Sequence, residues 1–244
     1  MSLIHLLTDF GFEGPYVGEM KAVLCRGNEN FALIDLMHDV PKFNIKSAAY
    51  LLSALSTQFL KQEACLAVVD PDVGAESRRA IIIVADEVTY CGPDNGLFSV
   101  VIQNAKSVDG YEIVWRPESL STSFHGRDLF APALGKFLNN EKGHVKKINI
   151  DGLVETNMAA EVDEIIYFDG FGNGITGRTA KSISPGSKII INDINITFAE
   201  TFSSVRKGEP FWYINSMGLV EVAINQGNIK QLFELTIGST ITVA

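Results

Sequence analysis

The chain has little of what several common functions require. Its three cysteines, Cys25, Cys65 and Cys91, are an odd number without CxxC spacing, so neither a disulfide framework nor a zinc site is indicated and buried free thiols are expected. The four histidines are not spaced as metal ligands, and no structural or catalytic metal is expected. No apolar run approaches the ~20 residues of a bilayer span, and the N-terminus has no charged region followed by a long hydrophobic stretch. A cytoplasmic protein without a membrane partner is expected. Positive charge is scarce as well. The formal net charge is −9, and the basic clusters, Lys146 with Lys147 and Arg206 with Lys207, are short, so no nucleic-acid partner is expected. There is no internal repeat and no low-complexity tract.

What is there is ordinary globular material: 46% hydrophobic and 20% charged residues in a chain of 244, enough for one large domain or two smaller ones. SLIHLL (2–7) reads as a strand broken by TDFG, which places Asp9 at its carboxyl end. YVGEMKAVLCRG carries Val17, Met20, Val23 and Leu24 at helical spacing, with Gly27 placed to end the helix. FALIDLMHDV (31–40) is the next strand, and NIKSAAYLLSALSTQFL a helix started by Asn44. In LAVVDPDVGAESRR (66–79) an apolar strand stops at Asp70, with Pro71 and Gly74 as breakers and Arg78 and Arg79 beyond. Two short β segments, a GPDNG turn and a helical run follow. YEIVWRP then reads as a strand and STSFHGRDLFAPALGKFLNN as a helix, with His125 and Arg127 where loop becomes helix. Alternation of this kind to about residue 140 predicts an α/β fold with a mostly parallel sheet flanked by helices. Beyond about residue 155, short β-branched and aromatic runs separated by Gly, Asn, Asp and Pro predict a smaller antiparallel β-barrel or sandwich. The expected domains are 1–155 and 156–244, with residues 141–160 as the linker.

In open α/β sheets ligands bind beyond the carboxyl ends of strands, so an acid at that point with arginines close behind is a candidate site. Asp70 alone equally suits a turn residue, with Arg78 and Arg79 as surface charges. The wider pattern shifts that balance. The blocks LTDFG with YVGEMKAV, VVDPDVG with RRA, GPDNGL, FHGRD with FAP, FGN with ITGR, and NSMG with EVAIN run through the whole chain in order. In this the sequence resembles the S-adenosylmethionine (SAM) hydroxide adenosyltransferases, or SAM hydrolases, relatives of the fluorinating and chlorinating SAM enzymes.

The resemblance implies attack of water on the ribose C5′ carbon of SAM, giving adenosine and methionine, with SAM as substrate and no cofactor. It implies an Asp, Arg and His set, matched by Asp70, Arg78 and His125, with Arg79 the alternative arginine. An Asp beside an Arg is expected to have a depressed pKa and to orient the water more than deprotonate it. For substrate binding, the resemblance assigns Asp9 to the ribose diol, Phe43 to the ribose and adenine region, Asn173 to the adenine edge and Ser216 to the methionine carboxylate. Phe171 and Phe198 are aromatic walls or barrel core. His5, His38 and His144 keep structural roles.

The family pattern is not followed everywhere. Gly14 stands where an Asp holds the substrate ammonium, a task left to Glu13 or Asp169. Asp72 replaces a glycine and is expected to point outward. Met217 stands where the halogenating relatives have an Arg. The resemblance also implies a homotrimer with the site at the subunit interface. Two further readings stand beside the hydrolase: a non-catalytic SAM or adenosine sensor, and a halogenase. The second is disfavoured by Asp70, His125 and Gly126 at positions where halogenases have other residues.

Overall fold

The computed structural model describes residues 2–75, 78–154 and 158–244. The chain divides into two units after Met158. The boundary expected between residues 155 and 156 lies outside the described residues.

The first unit contains β1 (Ser2–Thr8), α1 (Tyr16–Gly27), β2 (Phe31–Met37), α2 (Ile45–Ser56), β3 (Ala64–Val68), β4 (Ala80–Ala85), β5 (Val88–Pro93), α3 (Ser99–Asn104), β6 (Val108–Ile113), α4 (Ala131–Leu138) and β7 (Val145–Ile148). Local chemistry sets the ends of several of these. Asn44 caps α2 by accepting the Ser47 N–H at 2.8 Å, satisfying a donor that the first helical turn leaves free. Apolar residues at helical spacing put Val17, Met20 and Leu24 on the buried side of α1.

The seven strands form one sheet in the order β2-β1-β3-β5-β4-β6-β7. β1 runs parallel to β2 and β3, and β3 to β5, but β4 is antiparallel to β5 and β6, and β6 to β7. The sheet is therefore mixed, not mostly parallel as expected. The reason lies in a two-residue connection. Asp86 (φ 47°) and Glu87 (φ 70°) both take left-handed backbone, the geometry of a type I′ hairpin, which folds β5 straight back on β4. A second correction concerns the expected linker, since Val145–Ile148 within it is the edge strand β7.

Ile4, Leu6, Leu66 and Val68 of the sheet pack with Met20 and Leu24 of α1 and Phe130 and Leu134 from the α4 region. The alternate residues Leu7, Cys65 and Ala67 are fully buried too, so the central strands are covered on both faces. Each large side chain so buried contributes about 1.5–3 kcal/mol. All three cysteines are free, as expected, but only Cys65 and Cys91 are buried; Cys25 is exposed on α1. Burial pushes the Cys65 and Cys91 thiols up, which keeps them protonated and inert.

The second unit contains β8 (Val162–Phe168), β9 (Gly174–Thr179), β10 (Ile189–Ile191), β11 (Ile194–Phe198), β12 (Pro210–Ile214), β13 (Leu219–Ile224), α5 (Ile229–Leu232) and β14 (Thr242–Val243). Their order is β14-β10-β11-β12-β13-β9-β8. Neighbours are antiparallel except β11 with β12. A bridge between Glu164 and Thr240 draws the two edges together, so the sheet is nearly a barrel around Ile165, Ile189, Ile196, Trp212, Val220 and Val222. Among the described residues no helix is long and apolar enough to cross a membrane.

Candidate active site

β3 delivers Asp70 to the carboxyl edge of the first sheet. Buried Asn95 of the GPDNG turn fixes that delivery, donating from Nδ2 to the Val69 carbonyl at 2.8 Å. The Asp70 side chain is 3% exposed, and among the described residues neither carboxylate oxygen has a partner in hydrogen-bond geometry, the Asp72 backbone N–H exerting only the weakest pull on it. Arg78 Nε lies 3.7 Å from Oδ1, outside hydrogen-bond range, and has no hydrogen-bond partner among the described residues. The other Arg78 nitrogens are committed elsewhere, Nη2 to Asp72 at 2.9 Å and Nη1 to the Asp94 carbonyl at 3.2 Å. Arg79 points to a different partner, bonding Asp94 from Nε at 2.7 Å. Of the two arginines, Arg78 is the one beside Asp70. Asp72 is exposed as expected, yet its carboxylate holds Arg78.

Burial pushes the Asp70 carboxyl above the usual carboxylate range, against the opposing pull of Arg78 and His125. The depressed pKa expected from the neighbouring arginine is thereby overturned. At 3.7 Å the guanidinium makes no hydrogen bond to compensate for lost hydration, so desolvation wins. His125 shares this field. Burial lowers its pKa first, Asp70 opposes, and the Arg116 charge adds to the lowering. The imidazole is therefore neutral at pH 7 and able to accept a proton.

His125 stands immediately before a π-helical turn, Gly126–Phe130, that leads into α4, a geometry found often at functional sites. A Cβ on Gly126 would come within 2.8 Å of Met20 Sδ, so glycine lets this turn sit against α1. Arg127 turns away, pairing with Glu19 at 2.6 Å and Asp128. The loops carrying Asp70 and His125 meet at Gly74, whose Cβ position is 2.6 Å from the Thr122 carbonyl oxygen. Elsewhere on the same sheet, Asp9 follows β1, and its Oδ2 accepts the N–H of Phe43 at 2.9 Å. The Phe43 ring is 71% exposed, free to meet a ligand.

In the second unit the loop after β8 is built around Asp169. Its Oδ1 accepts the Phe171 and Asn173 N–H groups, and its Oδ2 accepts Asn173 Nδ2 at 2.9 Å. Both oxygens serve the loop. Asn173 is buried, and its Oδ1 has no hydrogen-bond partner among the described residues. Asp169, Phe171 and Asn173 line a pocket of about 730 Å³ together with Phe202, Tyr213 and Asn228. Phe171 is 80% exposed, whereas Phe198 packs on Trp212 at 4.8 Å as barrel core. Ser216 is exposed on the turn between β12 and β13, outside that pocket.

Two features were not anticipated from the sequence. Asn95 is one. The other is Glu221, a buried acid in the middle of β13 that accepts from Tyr213 Oη and from Asn215 Nδ2 at 3.0 Å. The signal was available: a charged residue inside the apolar run VEVAI needs a reason. Among the described residues, no group of three or more His, Cys, Asp or Glu side chains is placed to hold a metal ion.

A buried carboxylate, a guanidinium and an imidazole gathered at the edge of a mixed α/β sheet, followed by a near-barrel with its own pocket, define a two-unit α/β enzyme. Comparison with known proteins makes the family specific. Residues 4–147 match the SAM hydroxide adenosyltransferase N-terminal domain and residues 163–242 its C-terminal domain, and the chain belongs to that family. It is 32% identical to the (R)-S-adenosyl-L-methionine hydrolase of Thermus thermophilus, covering 99% of both chains. With the hydrolase of the same name from Salinispora tropica the identity is 30%, over 98% of this chain and 97% of the relative. A solved structure of an uncharacterized conserved protein from Thermotoga maritima superposes with a TM-score of 0.87 at 28% identity over 99% of both chains.

Proposed function

We propose that this protein hydrolyses S-adenosyl-L-methionine to adenosine and L-methionine. A water oxygen bonds to the ribose C5′ carbon as the C5′–S bond breaks. The bonding pair moves onto sulfur, which turns from a sulfonium cation into a neutral thioether, so the leaving group needs no acid. The remaining demand is on the water, whose proton must pass to the protein. Asp70 carries this reading: a buried carboxylate with neither oxygen hydrogen-bonded among the described residues and with a raised pKa is both an orienting group and a better base than an exposed one. Neutral His125 is a second acceptor beside it, and the Arg78 charge favours the ionised aspartate against its burial.

In the same reading Asp9 grips the ribose diol, Phe43 and Phe171 flank the nucleoside, and Asn173 meets the adenine edge with Asp169 behind it. Ser216 serves the methionine end. The active unit is a homotrimer in the cytoplasm, each site combining the first unit of one subunit with the second unit of the next. The names of the full-length relatives support the reaction. Incubation with SAM in oxygen-18 water tests it: adenosine carrying the heavy oxygen must appear in step with methionine. Bound nucleoside without turnover would replace this reading with a sensor, and a halogenated nucleoside in the presence of chloride or fluoride would replace it with a halogenase.

A further inference from the structure

Beneath the loop that carries Asp9 runs a chain of hydrogen bonds centred on His38, a residue fully buried just beyond β2. Both ring nitrogens are engaged, Nε2 with Asp35 Oδ1 at 3.1 Å and Nδ1 with Thr8 Oγ1 at 2.8 Å. The other oxygen of Asp35 accepts Lys21 Nζ from α1 at 3.0 Å. Lys21 and His38 together hold the Asp35 carboxyl below its usual range, although burial opposes them as the largest single effect. An ionised carboxylate only accepts, so in the neutral imidazole the proton sits on Nε2. Nδ1 is then an acceptor and the Thr8 hydroxyl must donate to it. That leaves Thr8 Oγ1 to accept the Phe10 N–H at 3.3 Å.

Two more contacts tie the same loop to the same residue. The Gly11 N–H donates to the His38 carbonyl at 2.7 Å, and the Phe12 ring meets the imidazole edge-on at 5.0 Å. Thr8, Phe10, Gly11 and Phe12 are thus all fixed by His38, directly or through Thr8, and Asp9 lies between them. Gly11 adopts a φ of 73°, so the sharp turn after Asp9 is held by the bond it donates.

We propose that His38 is a positioning residue for Asp9, orienting its carboxylate toward a vicinal diol through Thr8. This rests on the reading of Asp9 as the ribose-diol ligand. The test is calorimetric binding of adenosine and of 2′,3′-dideoxyadenosine, which requires no turnover. A carboxylate accepting from two hydroxyls should make the wild type prefer adenosine by roughly tenfold or more. Thr8→Val, which removes only the hydroxyl link, and His38→Leu should each reduce that preference to below about threefold. Thr8→Ser should restore it. General loosening of the fold would weaken both ligands alike and leave the ratio unchanged, and the Thr8 pair decides the matter should His38→Leu not fold. Wild-type preference retained in Thr8→Val overturns the role of His38 alone. A wild type indifferent to the diol overturns the reading of Asp9, and the role of His38 with it.

Discussion

At Asp70 an arginine and a buried setting pull in opposite directions, and burial prevails. The consequence for stability has a definite sign. With its native pKa above the unfolded value of ~3.9, Asp70 binds more protons in the native state, so its contribution falls as pH rises through the window above ~3.9. Ionised Asp70 is then a cost at neutral pH, kept for function. Asp70→Asn should raise the thermal midpoint while lowering kcat/KM by about 10²–10⁴-fold; undiminished kcat/KM in that variant would remove Asp70 from the mechanism. Activity itself should fail on the acid side as Asp70 and His125 take up protons, with the Asp70 limb above the ordinary carboxylate range and the His125 limb below the ordinary histidine range. Asp72 adds to the Asp70 shift and occupies Arg78 Nη2. Asp72→Gly should therefore free the guanidinium and move the aspartate limb of the pH–rate profile to lower pH. A limb that stays in place or rises would show that Asp72 has no hold on the site.

Among the elements, the decisive contact is between two loops. Gly74 has a φ of 89° and no room for a Cβ beside the Thr122 carbonyl. Gly74→Ala should cost about 1–3 kcal/mol in urea unfolding and, by parting the Asp70 and His125 loops, reduce kcat more than KM. Full activity in that variant would mean this approach does not set the Asp70–His125 pairing. Much of this level was legible in the sequence. Asn44 marks a helix start by its capping chemistry, and Asp9 and Asp70 mark strand ends as the acids that break apolar runs. Other features were hidden for physical reasons. Period-2 patterning carries no strand direction, and the β4–β5 hairpin turns on Asp86 and Glu87, where Asn-Gly would have announced it. Asp86 compensates by accepting the backbone N–H groups of Lys106 and Ser107. β7 reads VKKI, a short charged edge strand that resembles a linker, and a π-helical turn has the composition of any helix start.

For the whole molecule the candidate residues separate by unit. Asp9, Phe43, Asp70, Arg78 and His125 belong to the first, and Asp169, Phe171, Asn173, Phe198 and Ser216 to the second. The first supplies charge at strand ends, the second a pocket walled by aromatics and an amide whose acceptor has no partner among the described residues. The two units were legible in the change of composition after about residue 155, but that residues of both serve one substrate was suggested only by the family resemblance, because neither periodicity nor composition assigns loops from distant sequence to a common ligand. The division between units also makes the trimeric arrangement testable without a structure of the assembly. Asp70→Asn and Asn173→Ala should each be nearly inactive alone. When the two are co-expressed and mix at random, a site built from two subunits pairs an intact first unit with an intact second unit in roughly one quarter of cases. Activity should return to about that fraction of the wild type, measured as adenosine release per site. If each site were formed within one chain, no mixed assembly could contain an intact one, and activity would stay at the level of the single variants.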